Sequence, residues 1–388
     1  MIEEKKYKLL TTIRYFGDAC FYPFFSLYLK SAGLVESRIG FILSITPIIS
    51  IIINPIYSFL CKNLKQTKKI LEIITIVEAF IITLIGFSSD FYIISILTIL
   101  LAIFGSCHYG LLDSITVVFA SSNNVDFSKI RIYGSIAYII ATSLGGIVID
   151  VIGYRTSFII AASLFILSGL IYHVIKPLEI SHNKQEEKGS YKEVITNKKL
   201  ILLLIFYTLL NSTNYSVDSF LSVFFSSLGV SSGQYGFIYS YYVVFEVITL
   251  LILPKLHKKP KSEILFIIAS VLFSTRLLSY YLQLNIFWIV LFTSFKGIVN
   301  GIILYTFYTT VLEIVGKKNT TIAILLFNLV HAIYIAIGNN IFGKLIETNA
   351  YKDLHLVGII ISLLALLLSI IRLIISFKEN NKTTSPDS

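Results

Sequence analysis

Ten ionisable side chains sit where the sequence is otherwise apolar: Arg14, Asp18, Glu78, His108, Asp113, Asp218, Glu246, Arg276, Lys296 and His331. A charge at membrane depth costs about 2.5–3.5 kcal/mol even on a lenient insertion scale, so such groups pair, face a wet cavity and mark ion or substrate paths. Arg14 and Asp18 are four residues apart with Tyr22 one turn further, which puts all three on one helix face. There a carboxylate can carry a proton while the guanidinium tunes it or holds an anion. The plainer alternative is a static ion pair that neutralises both.

Asn211, Asn214, Tyr215, Asp218 and Ser222 form an i, i+3, i+4, i+7, i+11 stripe. Lipid penalises such a stripe, so it should look inward. Amide and hydroxyl groups in such an array suit a sugar- or nucleoside-like ligand, or else interhelical bonds worth about 0.6 kcal/mol each. Tyr235, Tyr239, Tyr242 and Glu246 make a second one-face stripe, with Arg276 as a candidate partner for Glu246. Asp113 belongs to a proton path or pairs with Arg131. His108, five residues before Asp113, is about 140° around the helix and does not share its face. Lys296 and Asn300 lie one turn apart, where the lysine can hold a solute carboxylate or act as an internal counter-ion. Asn328, His331 and Asn339 lie near one face, with His331 a candidate titrating group.

Composition dictates the scaffold that carries these residues. Of 388 residues, 55% are hydrophobic and 14% charged. Soluble chains run at about 25% charged, so a soluble enzyme and a disordered chain are excluded. Apolar runs predict twelve spans: 9–29, 39–60, 70–88, 92–116, 133–151, 157–175, 200–226, 235–253, 264–283, 286–310, 321–343 and 356–375. Twelve spans use roughly 240 residues and leave no room for a soluble domain. Outside the spans, 23 Lys and Arg fall on the side of the N-terminus and only 5 on the other. The positive-inside rule then puts both termini in the cytoplasm and explains the net charge of +10 without nucleic acid. Cys20, Cys61 and Cys107 have no spacing that suggests a disulfide framework or zinc site. No cleavable signal peptide is expected, because Arg14 and Asp18 interrupt the first apolar stretch.

A polar central loop, 177–199, separates two expected halves, 1–176 and 200–376, with a tail at 377–388. Shifting the sequence by 196 aligns residues 22–44 with 218–240, identical at 8 of 23 positions, including Ser26/Ser222, Gly33/Gly229 and Gly40/Gly236. The same shift pairs Asp18 with Asn214 and Gly105 with Gly301, and places Glu78 two residues from the counterpart of Arg276. At a shift of 197, Gly146 faces Gly343. Six spans per half in the same orientation make these parallel repeats, related by an axis along the membrane normal.

Two six-helix halves, a basic central loop and both ends inside resemble the major facilitator superfamily of secondary transporters. Tyr22-Pro-Phe-Phe-Ser-Leu-Tyr-Leu-Lys-Ser-Ala-Gly-Leu34, then Ile39-Gly-Phe-Ile-Leu43, is similar to the branch of proton-coupled nucleoside, oligosaccharide and aromatic-acid permeases. So are Leu111-Leu112-Asp113, Ile130-Arg131-Ile-Tyr-Gly-Ser-Ile136, and an arginine in span nine, Arg276. The usual Gly-x-Leu-Ala-Asp-Arg-x-Gly-Arg-Arg pattern after span two is reduced to the basic end of Ser58–Lys69. Where related permeases often place a His-Gly, this chain has Lys296-Gly297. The resemblance implies an all-α membrane fold of twelve helices, with spans one and ten beside a central cavity and spans three and nine at the periphery. It implies Arg14, Asp18, Glu78, Asp113, Glu246 and Arg276 as coupling residues. Tyr22, Asn211, Asn214, Tyr215, Asp218, Lys296, Asn300 and His331 are then the solute-binding set.

The chain carries no phosphate-binding glycine-rich loop, so energy must come from a gradient. The expectation is a monomeric plasma-membrane symporter that takes a proton or sodium and a nucleoside, sugar or organic acid, with no cofactor. The alternatives are a proton antiporter exporting drugs or metabolites, an integral-membrane enzyme and a channel. Six scattered histidines disfavour the enzyme, and repeated halves disfavour the channel.

Overall fold

The computed structural model describes residues 2–61, 63–176, 190–256 and 261–383. The Glu186-Glu187-Lys188 stretch of the expected central loop lies outside the described residues. Among those described, all regular structure is helical. The first half holds α1 (Ile2–Phe21), a 3-10 turn (Tyr22–Phe24), α2 (Phe25–Ser31), α3 (Glu36–Leu60), α4 (Leu64–Gly86), α5 (Phe91–Gly105), α6 (His108–Ser122), α7 (Phe127–Ile152) and α8 (Tyr154–Val174). The second holds α9 (Tyr191–Thr196), α10 (Lys198–Tyr207), a π-helical turn (Thr208–Ser212), α11 (Thr213–Asp218), α12 (Leu221–Ser227), α13 (Ser232–Ile252), α14 (Ser262–Tyr281), α15 (Ile286–Asn349) and α16 (Tyr351–Thr383). Gly316, at φ 68°, divides α15 into two arms. Side chains of Asn63, Asp90, Asp126, Asn197 and Asn285 accept first-turn N–H groups and fix where α4, α5, α7, α10 and α15 begin.

Among the described residues, ten helical segments are long and apolar enough to cross a membrane. The expected first and third spans are not in that set. α1 carries Arg14 and Asp18, and its helix breaks at Pro23. α4 opens on Lys65, Lys68, Lys69 and Glu72 and carries Glu78 further on. Large apolar side chains such as Phe80, Leu84, Ile96, Leu170 and Leu363 are exposed, as suits a surface solvated by lipid tails.

The sequence repeat reappears in the backbone. α2 and α12 are offset by 196 residues at both ends. Gly33 and Gly229 follow them at φ 85° and 80°, a conformation that glycine adopts without penalty. The equivalent hydroxyls of Ser26 and Ser222 are 2.8 Å apart.

The chain divides into two compact units. The first comprises Met1–Lys184, Ser219–Tyr241 and Asn339–Glu347. In it, α1 packs along α7 and α8, and α4 along α8. Small residues of α7 lie on this contact: Ala137 and Ala141 are buried, and a Cβ on Gly145 would touch Cys20. Two further seams explain the aligned glycines. Gly40 of α3 lies on the backbone of Asn339, and Gly343 on that of Glu36. Gly236 of α13 lies on the backbone of Thr142, and Gly146 of α7 on that of Ser232. A Cβ at any of the four would meet main chain rather than a side chain that can turn away. The second unit comprises Gln185–Asp218, Tyr242–Gly338 and Thr348–Ser388, with α14 packed on α16 and Gly297 against the backbone of Tyr242.

Overpacking a tight contact costs about 1–3 kcal/mol. Gly40→Leu and Gly236→Leu should each lower the melting temperature of the detergent-solubilised protein. Gly110→Leu, where a Cβ has open space, should leave it unchanged.

Candidate functional site: two buried ion clusters

The first unit holds a cluster built on Arg14. Its Nε donates to Asp18 Oδ2 at 3.0 Å, four residues along α1. Its Nη1 donates to Glu78 Oε2 of α4 at 2.5 Å, and Nη2 reaches Oε1 at 3.4 Å. All three side chains are at most 1% exposed. The guanidinium lies 3.8 Å from the centre of the Phe165 ring of α8, a cation–π contact strengthened by desolvation. The Tyr109 hydroxyl donates to Asp18 Oδ2 at 2.6 Å. His108, next to it in α6, sits with Nδ1 3.5 Å from Glu78 Oε2 and Nε2 3.1 Å from the Tyr172 hydroxyl. Gly105 ends α5 against Glu78 Oε1, where a Cβ would collide. One buried cation therefore faces two buried carboxylates.

Asp113 stands apart from that cluster. It is 3.8 Å from Arg131, and both are over a third exposed. Arg131 lies over the Tyr15 ring, which meets Tyr109 edge-on. Tyr22 falls in the 3-10 turn, with its ring on Phe21.

The second unit holds the other cluster. Asp218 Oδ1 is 3.0 Å from Arg276 Nη2, and Oδ2 is 3.2 Å from Lys296 Nζ. The Arg276 contact lies off the N–H direction, since Asp218 Oδ1 has no hydrogen bond there. Arg276 Nη2 donates instead to Asn214 Oδ1 at 3.0 Å. Asn214 Nδ2 donates to Asn300 Oδ1 at 2.8 Å, and Asn300 Nδ2 to Glu246 Oε2 at 3.3 Å. Lys296 Nζ also lies 4.2 Å from the centre of the Tyr242 ring. Arg276 is therefore held by Asp218 and Asn214 rather than by Glu246, the partner expected from sequence. The π turn and the break after Asp218 change the helical phase of this segment. As a result, the single stripe expected there is divided among several partners. Asn214 and Asp218 meet Arg276, whereas Tyr215 meets the His331 ring edge-on at 5.1 Å. Asn211 lies beside Tyr207, and Ser222 meets Ser26 in the first unit. His331 Nδ1 is 2.8 Å from Ser212 Oγ. Tyr207, Phe307 and Phe327 pack beside it, so His331 sits in an aromatic cluster.

Residues 12–357 match the family described as the MFS_1 like family. The chain belongs to that family of major facilitator superfamily transporters. Two relatives are 23% identical. They are the uncharacterized transporter YwbF of Bacillus subtilis, over 60% of this chain, and the probable 3-phenylpropionic acid transporter of Escherichia coli, over 66%. The chain spans 59% of the first relative's length and 68% of the second's. Among solved structures, the nucleoside transporter NupG matches with TM-score 0.83 at 15% identity, over 95% of this chain and 98% of that one. A bacterial homologue of the lysosomal transporter Spinster matches with TM-score 0.72 at 12% identity, over 95% of each chain. This is a multi-pass membrane transporter with the fold of that superfamily.

Sequence reasoning paired Arg14 with Asp18 but did not connect either to Glu78, and it left His108 unassigned. Tyr109, Phe165 and Tyr172 were not singled out. The available signal was the run Gly105 to Tyr109, a glycine that makes room for a neighbouring helix followed by two polar rings. Removing one member of a buried ion group costs about 3–5 kcal/mol, because the others stay buried and uncompensated. Arg14→Ala should therefore sharply lower the yield of folded protein and its melting temperature. Arg14→Ala with Glu78→Gln should recover part of both.

Proposed function

We propose that this transporter is a proton-coupled symporter that imports a small aromatic organic solute across the plasma membrane by alternating access. One observation carries the proposal: a single guanidinium, Arg14, faces two buried carboxylates, Asp18 and Glu78. Two ionised acids against one cation leave a net negative charge out of reach of water, and one bound proton removes it. A site that is neutral with a proton and charged without one can link proton binding to a change of access. Asp113 is the entry group of that path on the cytoplasmic side, through Arg131 and Tyr15.

The second cluster supplies the solute contacts. Asp218, Arg276, Lys296 and Glu246 carry equal numbers of positive and negative charges, tied together by Asn214 and Asn300. An incoming solute there meets amides and charges of both signs. Tyr215 and His331, with Tyr207, Phe307 and Phe327, offer ring faces and edges to an aromatic group, and Asn211 offers an amide. Nucleosides and phenyl-substituted acids both fit this chemistry, and relatives carry names of both kinds. We further propose twelve spans in two repeated halves, 1–176 and 200–376, with both termini cytoplasmic. α1 with α2, and α4, complete the ten strongly apolar segments. The Lys and Arg asymmetry sets the orientation.

The test is proton movement in de-energised, weakly buffered cells that express the protein, with nucleosides, disaccharides, phenyl-substituted acids and cationic dyes added one at a time. External alkalinisation with a nucleoside or a phenyl-substituted acid, abolished by Asp218→Asn and reduced at least tenfold by Asp18→Asn, is expected. No response to any uptake candidate, with dye efflux from energised cells that collapses on adding a protonophore, would overturn import in favour of an antiporter.

A further inference from the structure

Two carboxylates share Arg14, and their surroundings differ in where a proton could point. Asp18 Oδ2 accepts from Arg14 Nε and from the Tyr109 hydroxyl. Its Oδ1 is buried with no hydrogen-bond partner among the described residues. A proton on Asp18 would either face two donors on Oδ2 or be stranded on Oδ1. A buried donor without an acceptor costs about 1–3 kcal/mol. Glu78 differs, because a ring nitrogen, His108 Nδ1, stands 3.5 Å from its Oε2.

His108 is equipped for both states of that carboxylate. It is fully buried, with Nε2 on the Tyr172 hydroxyl and Nδ1 3.5 Å from Thr75 Oγ1, whose own proton goes to the Leu71 carbonyl at 2.6 Å. When Tyr172 donates to Nε2, the ring carries its hydrogen on Nδ1 and presents it to ionised Glu78. When Nε2 carries the hydrogen and donates to the Tyr172 oxygen, Nδ1 has a lone pair for the hydroxyl of protonated Glu78. The other titratable groups near Glu78 are Arg14, Asp18 and Tyr22 in and after α1, Tyr57 on α3, Cys107 before α6 and Tyr172 on α8. Among these, Arg14 offers only donors.

We propose that Glu78, rather than Asp18, carries the exchangeable proton, and that His108, held by Tyr172 and Thr75, is the positioning residue that offers it an acceptor. This rests on the proton-coupled reading and names its carrier. The step is a simple binding: a proton from water adds to Glu78 Oε2, one O–H bond forms, and the Arg14, Asp18 and Glu78 set goes from a net charge of −1 to zero. The proton leaves on the other side by the reverse. Protonation weakens the link from Arg14 Nη1 to Glu78, which joins α1 to α4. The Arg14 to Asp18 link lies within α1 and is kept. The proton thus acts on a contact between helices.

Infrared difference spectroscopy of the purified protein in lipid vesicles tests this without a known solute. The protonated carboxyl C=O band is followed as pH is varied. The expected result is a pH-dependent band in the wild type that is absent in Glu78→Gln and present in Asp18→Asn with its midpoint moved to lower pH, because Arg14 is then matched by Glu78 alone. In His108→Leu the band should move to higher frequency, because the acid loses its acceptor. In His108→Asn, whose amide oxygen can stand where Nδ1 stood, the wild-type frequency should return. Tyr172→Phe should shift the band's midpoint by about tenfold in proton concentration, with the fold checked by circular dichroism. A band lost in Asp18→Asn and kept in Glu78→Gln would overturn the assignment and leave proton coupling intact. The same frequency in His108→Leu and the wild type would overturn the role of His108. A titrating carboxyl signal that is the same in the wild type, Glu78→Gln and Asp18→Asn would overturn the proton-coupled reading itself.

Discussion

Charge inside a membrane has no water to fall back on, and the packing of the first unit depends on that constraint. Arg14 is one of the largest fully buried side chains in the protein, and the helices around it converge on its neutralisation. α1 supplies the arginine and Asp18, α4 supplies Glu78, α6 supplies Tyr109 and His108, and α8 supplies the Phe165 ring face. The glycine at the end of α5 keeps the approach to Glu78 open. Apolar packing alone would tolerate many rotations of these helices, since lipid tails and leucine side chains are nearly equivalent partners. The ion cluster tolerates far fewer, because each hydrogen bond has a direction.

The two halves solve the same problem with the charges exchanged. In the first, the arginine lies on α1 and a carboxylate reaches it from α4. In the second, the carboxylate Asp218 ends α11 and Arg276 reaches it from α14. Asp18 and Asn214 are equivalent under the repeat, and each bonds the arginine of its own half. The pairing of α1 with α4 thus recurs in the pairing of α11 with α14, with the sign of each partner exchanged. The two clusters also differ in balance. One has an excess of carboxylates, which suits a proton. The other has equal numbers of both signs with amides between them, which suits a polar solute.

Break points in the helices carry much of this arrangement. The 3-10 turn at Tyr22–Phe24, the π turn at Thr208–Ser212 and the interruption between α5 and α6 all lie close to cluster residues. A π turn adds a residue to the helix and rotates the residues beyond it relative to those before it. Backbone groups freed at such breaks are tolerated at membrane depth only where protein or a wet cavity surrounds them.

The sequence alone determined what composition and period control. Low charge, long apolar runs and the Lys and Arg asymmetry gave a polytopic membrane chain. The 196-residue shift gave the repeat, down to Gly33 and Gly229, because a turn needing positive φ imposes glycine locally. It also gave the members of both ion clusters, since any ionisable residue in an apolar run is conspicuous, although Asp113 from the same list is over a third exposed. What it could not supply was who meets whom. Arg14 and Asp18 were legible as a pair because one helix turn joins them, whereas Glu78, 64 residues away, was not. Arg276 had Glu246 as its candidate partner, but the tertiary structure gave it Asp218 and Asn214. His108 pointed away from Asp113 as the helical period required, but only the packing of α6 on α4 and α8 showed that it points at Glu78. Pairings of this kind depend on helix rotation and on interruptions of a residue or two, and neither leaves a periodic trace in the sequence.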